Sequence, residues 1–179
     1  MREVVLFIAM SLDGYIAESD GGVGWLSGQD ADAEDQDSYS EFAQDIDTVV
    51  MGWNTYHQIV TELSPGEWVY GDFATYVITH NQATSDEQIT FTDENPLNLV
   101  EKLKRRDGKE IWICGGADLA QQFMRAGLID KYHISVIPTL LGGGIRLFGE
   151  LPEEQKLSLV RMRSTNGIAE LVYKQRSLR

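Results

Sequence analysis

The sequence predicts an α/β protein with a mixed, mostly parallel central sheet flanked by helices and an antiparallel hairpin at its C-terminal end. Three observations carry this. Four short apolar runs lack the alternation of half-exposed strands, segments with helical spacing stand between them, and Asn166-Gly167 joins two strand-like runs late in the chain. Runs without alternation are covered on both faces, as strands of parallel sheets are. Strand and helix in alternation are the pattern of stacked α/β layers.

In chain order, residues 4–10 (VVLFIAM) form the first strand, stopped by Ser11 and Asp13, and residues 48–51 (TVVM), 76–79 (YVIT) and 111–114 (IWIC) form the next three. Residues 55–60 are predicted helical. Residues 97–106 (LNLVEKLKRR) place apolar side chains at 97, 99, 100 and 103, and residues 119–125 put Leu119, Ala120, Phe123 and Met124 on one stripe, so both are amphipathic helices. Residues 132–137 make a strand ended by Pro138, and residues 157–163 and 168–175 flank the Asn-Gly turn, a strong hairpin signal. Residues 21–37 and 60–73 are long and irregular, and loops of that length on an α/β scaffold often carry function. With 179 residues and no evident linker or repeat, residues 1–179 are expected to form one domain.

Charge narrows the partners. Fifteen Lys and Arg against 28 Asp and Glu give a net charge of −13, which repels polyanions, so neither nucleic acid nor an anionic membrane is an expected partner. An anionic cofactor is still admissible, because backbone N–H groups at a helix start supply local positive potential. The single cysteine, Cys114, rules out an intramolecular disulfide and a multi-cysteine zinc site. The first apolar run is too short to span a membrane and lacks a signal-peptide layout, so the expected location is the cytoplasm. Carboxylates at 30, 32, 34 and 41 have the spacing of a calcium loop, but Asp35 stands where such a loop needs glycine. No metal site is expected.

Two strand-to-helix junctions stand out. "ICGGADLAQQF" (113–123) places Gly115-Gly116 between an apolar run and a helix, and "VVMGWNTYHQI" (49–59) does the same at Gly52. Glycine lets backbone approach a ligand closely, and N–H groups at a helix start can face a phosphate; the same glycines also serve a plain turn. The first junction is not the G-x-G-x-x-G fingerprint. At the second, Asn54 or Thr55 would cap the helix. Ligands of open α/β sheets collect at the carboxyl ends of the strands, where both glycine turns would gather.

The ordered blocks "FIAMSLDGYIA" (7–17), "MGWNTY" (51–56), "YVITHN" (76–81), "IWICGGADLAQQFMRAGLIDKYHISVIP" (111–138) and "LLGGGIRLF" (140–148) resemble the dihydrofolate reductase superfamily. The branch they resemble is the reductase domain of the bifunctional riboflavin-biosynthesis deaminase-reductase. The resemblance implies a three-layer reductase fold and a nicotinamide cofactor, NADPH with NADH as the alternative, laid across the carboxyl edge of the sheet. It implies that Gly115, Gly116, Ala117, Asp118 and Leu119 hold the pyrophosphate together with Gly52, Asn54 and Thr55. Asp118 is expected to turn its carboxylate away. Ala9 and Ile16 would lie near the nicotinamide, and Thr79 and His80 by the adenosine. Trp53 stands where such families often carry an arginine for the 2′-phosphate, so a stacking contact would replace a charged one.

The implied reaction is reduction of a nitrogen heterocycle, a ribosylaminopyrimidine or a pterin, in a homodimer. Asp37, near the start of the first helix, is the candidate for polar recognition at the reacting centre, although an Asp there is also an ordinary cap. Asp13 is the alternative, although Asp-Gly is also a turn signal. Trp25 and Arg146 are candidate substrate contacts, and the glycines at 142–144 mark a bend near the cofactor's edge. The H-x-E and P-C-x-x-C patterns of the deaminase half are not in this sequence. The competing class is a dinucleotide-binding protein without turnover.

Overall fold

A computed structural model describes residues 1–33 and 37–176. In chain order its elements are β1 Val4–Ser11, β2 Tyr15–Ala17, α1 Ser38–Ala43, β3 Ile46–Gly52, α2 Trp53–Gln58 running into a π-helical turn Ile59–Leu63, β4 Ala74–Ile78, β5 Ile89–Thr92, α3 Pro96–Lys104, β6 Glu110–Gly115, α4 Ala117–Arg125, β7 Lys131–Ile137, β8 Ile145–Arg146, β9 Leu157–Thr165 and β10 Ile168–Gln175. One eight-stranded sheet has the order β5-β4-β3-β6-β1-β7-β10-β9. From β5 to β7 every neighbour is parallel, and β10 and β9 close the sheet antiparallel. The predicted α/β class and the C-terminal hairpin hold.

The apolar runs lack alternation because each strand feeds two cores. Val4, Leu6, Val50, Ile111 and Ile113 face α3 and α4, packing against Leu99, Leu103, Leu119 and Phe123. Val5, Val49, Met51 and Trp112 face the other way, against Phe42 of α1, Ile59 and Phe73. Alternate residues go to opposite faces of a strand, so three layers need apolar residues at every position. The hairpin turn puts Asn166 at φ 52° and Gly167 at φ 75°, the two left-handed residues that a two-residue hairpin uses.

Several boundaries differ from expectation. Helix α2 begins at Trp53 rather than residue 55, with Gly52 as its cap residue and no side-chain capping bond, so neither Asn54 nor Thr55 caps it. The strand passes straight into the helix there. Helix α3 is capped by Asn95, whose side chain accepts from Leu97 and Asn98 N–H. Strand β5 (ITFT) was not predicted, being four residues at the sheet edge, and β2 and β8 are too short to show any period. The 60–73 stretch is irregular only after its π-helical turn. Glu34 and Asp35 of the acidic stretch lie outside the described residues; among the described residues no three His, Cys, Asp or Glu are grouped to hold a metal, and no helix is long and apolar enough to cross a membrane.

Phe123 is fully buried between α4 and the sheet. Phe123→Ala removes its ring from that core and is expected to cost about 3–5 kcal/mol, read from urea unfolding as a lower midpoint at unchanged slope.

Candidate active site

The site begins where two parallel neighbours part. The ladder between β1 and β6 pairs Val4 with Ile111, Val5 with Trp112 and Leu6 with Ile113 and ends there, while β1 continues to Ser11 beside β7. Peptide groups alternate in direction along a strand. The Glu3 carbonyl accepts from Ile111 N–H on the β6 side (2.9 Å), and that of Val4 accepts from Asp130 on the β7 side (2.9 Å). Phe7 therefore faces β6, where the indole Nε1–H of Trp112 fills its carbonyl at 3.0 Å. By the same alternation Ala9 turns its N–H and C=O toward the gap.

Beside that gap the two glycine junctions meet. Met51 pairs with Gly115 across the β3–β6 ladder, so Gly52 and Gly116 leave neighbouring strands together. Gly52 and Gly116 each occupy the cap position of their helix without a side-chain capping bond. A Cβ on Gly52 would lie 3.8 Å from the Gly116 nitrogen, and one on Gly115 or Gly116 would lie 3.5 Å from Thr55 Oγ1. Gly115 has φ 134°, where a side chain is strained. The result is a backbone cradle with one hydroxyl at its side. Trp53 opens α2 beside it, its ring 5.6 Å from Tyr56 and 6.2 Å from Phe91. Thr79 is buried after β4, its N–H on the Thr92 carbonyl and its hydroxyl accepting from Asn81, while His80 is exposed.

A cavity of about 410 Å³ opens on the α1 side of β1, β7 and the hairpin, and Ala9 belongs to both it and the gap. Its apolar wall includes Phe7, Leu26, Ile137 and Ile168; its polar wall includes Asp37, Tyr39, Ser135, Arg163 and Glu170. Asp37 caps α1, its Oδ1 accepting from Ser40 N–H at 2.9 Å. The Ser40 hydrogen bonds hold its carboxyl below the usual range, so it is anionic at neutral pH. Burial raises the Tyr39 hydroxyl, which stays protonated.

The far wall is an ion cluster. Glu170, 5% exposed, lies 2.9 Å from His133 Nε2 and 2.8 Å from Arg163 Nε, and it accepts from Ser38. Neither nitrogen is aligned on it as a hydrogen bond, so charge holds the Arg163 pair more than direction does, and the His133 contact is one of proximity. Arg163 Nη1 also donates to Glu41 at 2.6 Å, and Arg161 reaches both carboxylates. Burial alone would raise Glu170, but Ser38, Arg163 and His133 outweigh it and keep it below the usual range. Burial pushes the His133 imidazole down, against Glu170, so it is neutral near pH 7. Cys114 is pushed up to about 12 by burial, which removes it as a nucleophile.

The structure gathers Ala9, Gly52, Thr55, Gly115 and Gly116 at one end and Ala9 with Asp37 at the other. Ile16 packs toward the α4 side of the sheet. Asp13 and Arg146 do not line the cavity. Asp13 accepts from the Ser11 hydroxyl (2.6 Å), Leu141 N–H (3.1 Å) and Gly142 N–H (2.7 Å), which hold it at about 2 and make it the clamp of the 139–142 turn. The guanidinium of Arg146 stands 4.8 Å over the Tyr15 ring in the small β2–β8 sheet. The bend at Gly144 serves that sheet, since a Cβ there would collide with the Ala17 carbonyl. Leu26, not its neighbour Trp25, lines the cavity. Asp118 is exposed in the first turn of α4. Tyr39, Arg163 and Glu170 were not singled out from sequence: Tyr39 stands on a six-residue helix too short to show a period, and polar residues on a C-terminal hairpin read as a solvated face.

The model of the RibD C-terminal domain family matches residues 2–169. The uncharacterized protein YwjB of Bacillus subtilis is 42% identical over 161 residues, 88% of this chain and 89% of that protein. A solved Shewanella sp. PV-4 protein, named for riboflavin biosynthesis, superposes with a TM-score of 0.83 at 26% identity over 97% of this chain and 98% of its own. The Thermotoga maritima diaminohydroxyphosphoribosylaminopyrimidine deaminase/5-amino-6-(5-phosphoribosylamino)uracil reductase shares the fold, with a TM-score of 0.70 at 15% identity over 98% of this chain, which spans 57% of that one.

The ion cluster gives stability a pH dependence. His133 binds a proton less readily folded than unfolded, so its contribution is present above the ordinary value of 6.5 and is lost as pH falls below it. Glu170, held low, has the same sign at lower pH: its contribution is lost as pH falls below the ordinary 4.5. The urea midpoint is expected to fall steadily from about pH 7 to about pH 4. His133→Gln removes the upper part of that slope and leaves the lower; an unchanged slope between about pH 7 and 5.5 would assign it to other groups.

Proposed function

The chain belongs to the RibD C-terminal domain family, and on that footing we propose that it is an NADPH-dependent reductase of a nitrogen heterocycle, with NADH as the alternative cofactor. The observation that carries this reading is the meeting of two glycine-led helix starts beside the gap between β1 and β6. The N–H groups of residues 116–119, with Gly52, Asn54 and Thr55, would hold a pyrophosphate, since no side chain caps either helix. A nicotinamide carboxamide matches the N–H and C=O that Ala9 turns to the gap. Trp53 offers an aromatic face toward the adenosine end, where Thr79 and His80 lie. The cofactor supplies hydride when bound.

The cavity beside Ala9 would take the substrate, a ribosylaminopyrimidine or a pterin; the reaction closest in kind is 5-amino-6-(5-phosphoribosylamino)uracil reduction. Asp37, an anion, accepts from a ring N–H and orients it. It holds no proton at neutral pH, so the proton comes from water or from the Tyr39 hydroxyl. The capping bond of Asp37 also favours a second reading, a dinucleotide-binding protein without turnover in which Asp37 is purely structural.

Pairing of two copies is supported by the edge strand β9. Leu159 and Met162 stand opposite Tyr173 and Leu171 on one face and are 53% and 67% exposed. An apolar row on a sheet edge calls for a cover.

Quenching of the four tryptophans by micromolar NADPH, more weakly by NADH, is the expected titration; no response to either dinucleotide sinks the reductase reading. Thr55→Val should weaken NADPH by about tenfold at near-constant melting temperature, as loss of a hydroxyl bond to an anion does. Asp37→Asn should slow turnover by about tenfold or more with NADPH affinity kept, and equal loss of both would make Asp37 a cap alone. Sedimentation should give a dimer that Met162→Lys converts to monomer; a monomeric parent protein refutes the pairing.

A further inference from the structure

We infer that the cavity beside Ala9 takes its substrate without a phosphate, as a neutral or cationic heterocycle. This rests on the reading of that cavity as the substrate site. Among the described residues lining it, the charged side chains are Asp37, Glu170 and Arg163. Arg163 is held between two carboxylates: Nη1 donates to Glu41 at 2.6 Å, Nη2 donates to Glu170 at 3.2 Å, and Nε stands 2.8 Å from Glu170 without an aligned hydrogen bond. Arg161 shares the same two carboxylates, so two cations and two anions balance within the wall. Drawing Arg163 toward a phosphate would strip a partner from Glu170, which is 5% exposed, and a buried carboxylate left short of its partner is strongly unfavourable.

The other donor a phosphate uses is a helix start. At α1 that place is taken, because the Asp37 carboxylate already accepts from Ser40 N–H. Asp37 thus leaves the cavity one negative charge out of balance. The segment ahead of α1 adds to it, for residues 18–33 hold four further carboxylates and neither Lys nor Arg, and Leu26 from this segment lines the cavity. A phosphate dianion would meet repulsion with no uncommitted cation among the described lining residues. The anionic part of the proposed cofactor escapes this, since its cradle at Gly116 is backbone.

The test is calorimetric titration of the whole protein, with and without saturating NADPH, by two matched pairs: 5-amino-6-(ribosylamino)uracil and its 5′-phosphate, and 6-hydroxymethylpterin and its phosphate ester. In at least one pair the unphosphorylated member should bind about tenfold tighter or better, with the gap narrowing as salt screens the carboxylates. Asp37→Asn, which still caps α1, should narrow the gap by about threefold or more. Equal or tighter binding of the phosphorylated members, a gap unmoved by Asp37→Asn, or no binding of any of the four overturns the inference. The two readings fail separately. Turnover of a phosphorylated member would overturn the phosphate exclusion and leave the reductase standing, whereas tight binding of an unphosphorylated member with no NADPH response would do the reverse.

Discussion

In the interior of a sheet covered on both faces, peptide groups come free where neighbouring strands part, and this protein depends on how one such parting is handled. Strand β6 turns at Gly115 into α4 while β1 runs on to Ser11 beside β7, so the two separate after Leu6 and Ile113. Between Val4 and Leu6 the ladders on both sides of β1 take up its peptide groups. At the gap they do not, and the Trp112 indole covers the Phe7 carbonyl while the next residue of that edge, Ala9, is left facing it. The cradle of Gly52, Gly115 and Gly116 and the cavity under α1 both open from this place.

The two faces of the sheet are covered unequally. Helices α3 and α4 bury seven apolar side chains between them, whereas α1 buries only Phe42. Toward β7, β10 and β9 the α1 side is therefore held by His133, Glu170, Arg161 and Arg163 in place of an apolar layer. Removing one charge from such a set strands another. Among the described residues the one cation lining the cavity, Arg163, is paired with Glu41 and Glu170.

On the proposed function, that arrangement would let a strongly acidic chain handle anions selectively. Backbone N–H groups at α4 carry positive potential that net charge does not cancel, because it acts over a single turn. Side chains around the cavity carry the opposite sign, from Asp37 beyond the balanced ion cluster. On the proposed reading, one anion has a place at the glycine junctions and a second, in the cavity, has none.

By itself the sequence determined the layers, the parallel centre, the hairpin and the glycine junctions, because each follows from local pattern: apolar residues at successive positions, helical stripes, Asn-Gly, and glycine at a strand's end. Its blocks also carried the family likeness. What it left undetermined were β2, β5 and β8, too short for a period, and the tasks of Asp13, Arg146 and Glu170. Asp13 precedes glycine as any turn aspartate does, yet its three partners come from Ser11 and from a loop 128 residues away. Arg146 reads as an anion contact, but pairing of β8 with β2 lays it over Tyr15. Glu170 and Arg163 read as a solvated hairpin face until the sheet folds them under α1. Tertiary structure alone decided these, since a charged side chain takes its role from the partners that distant segments bring to it.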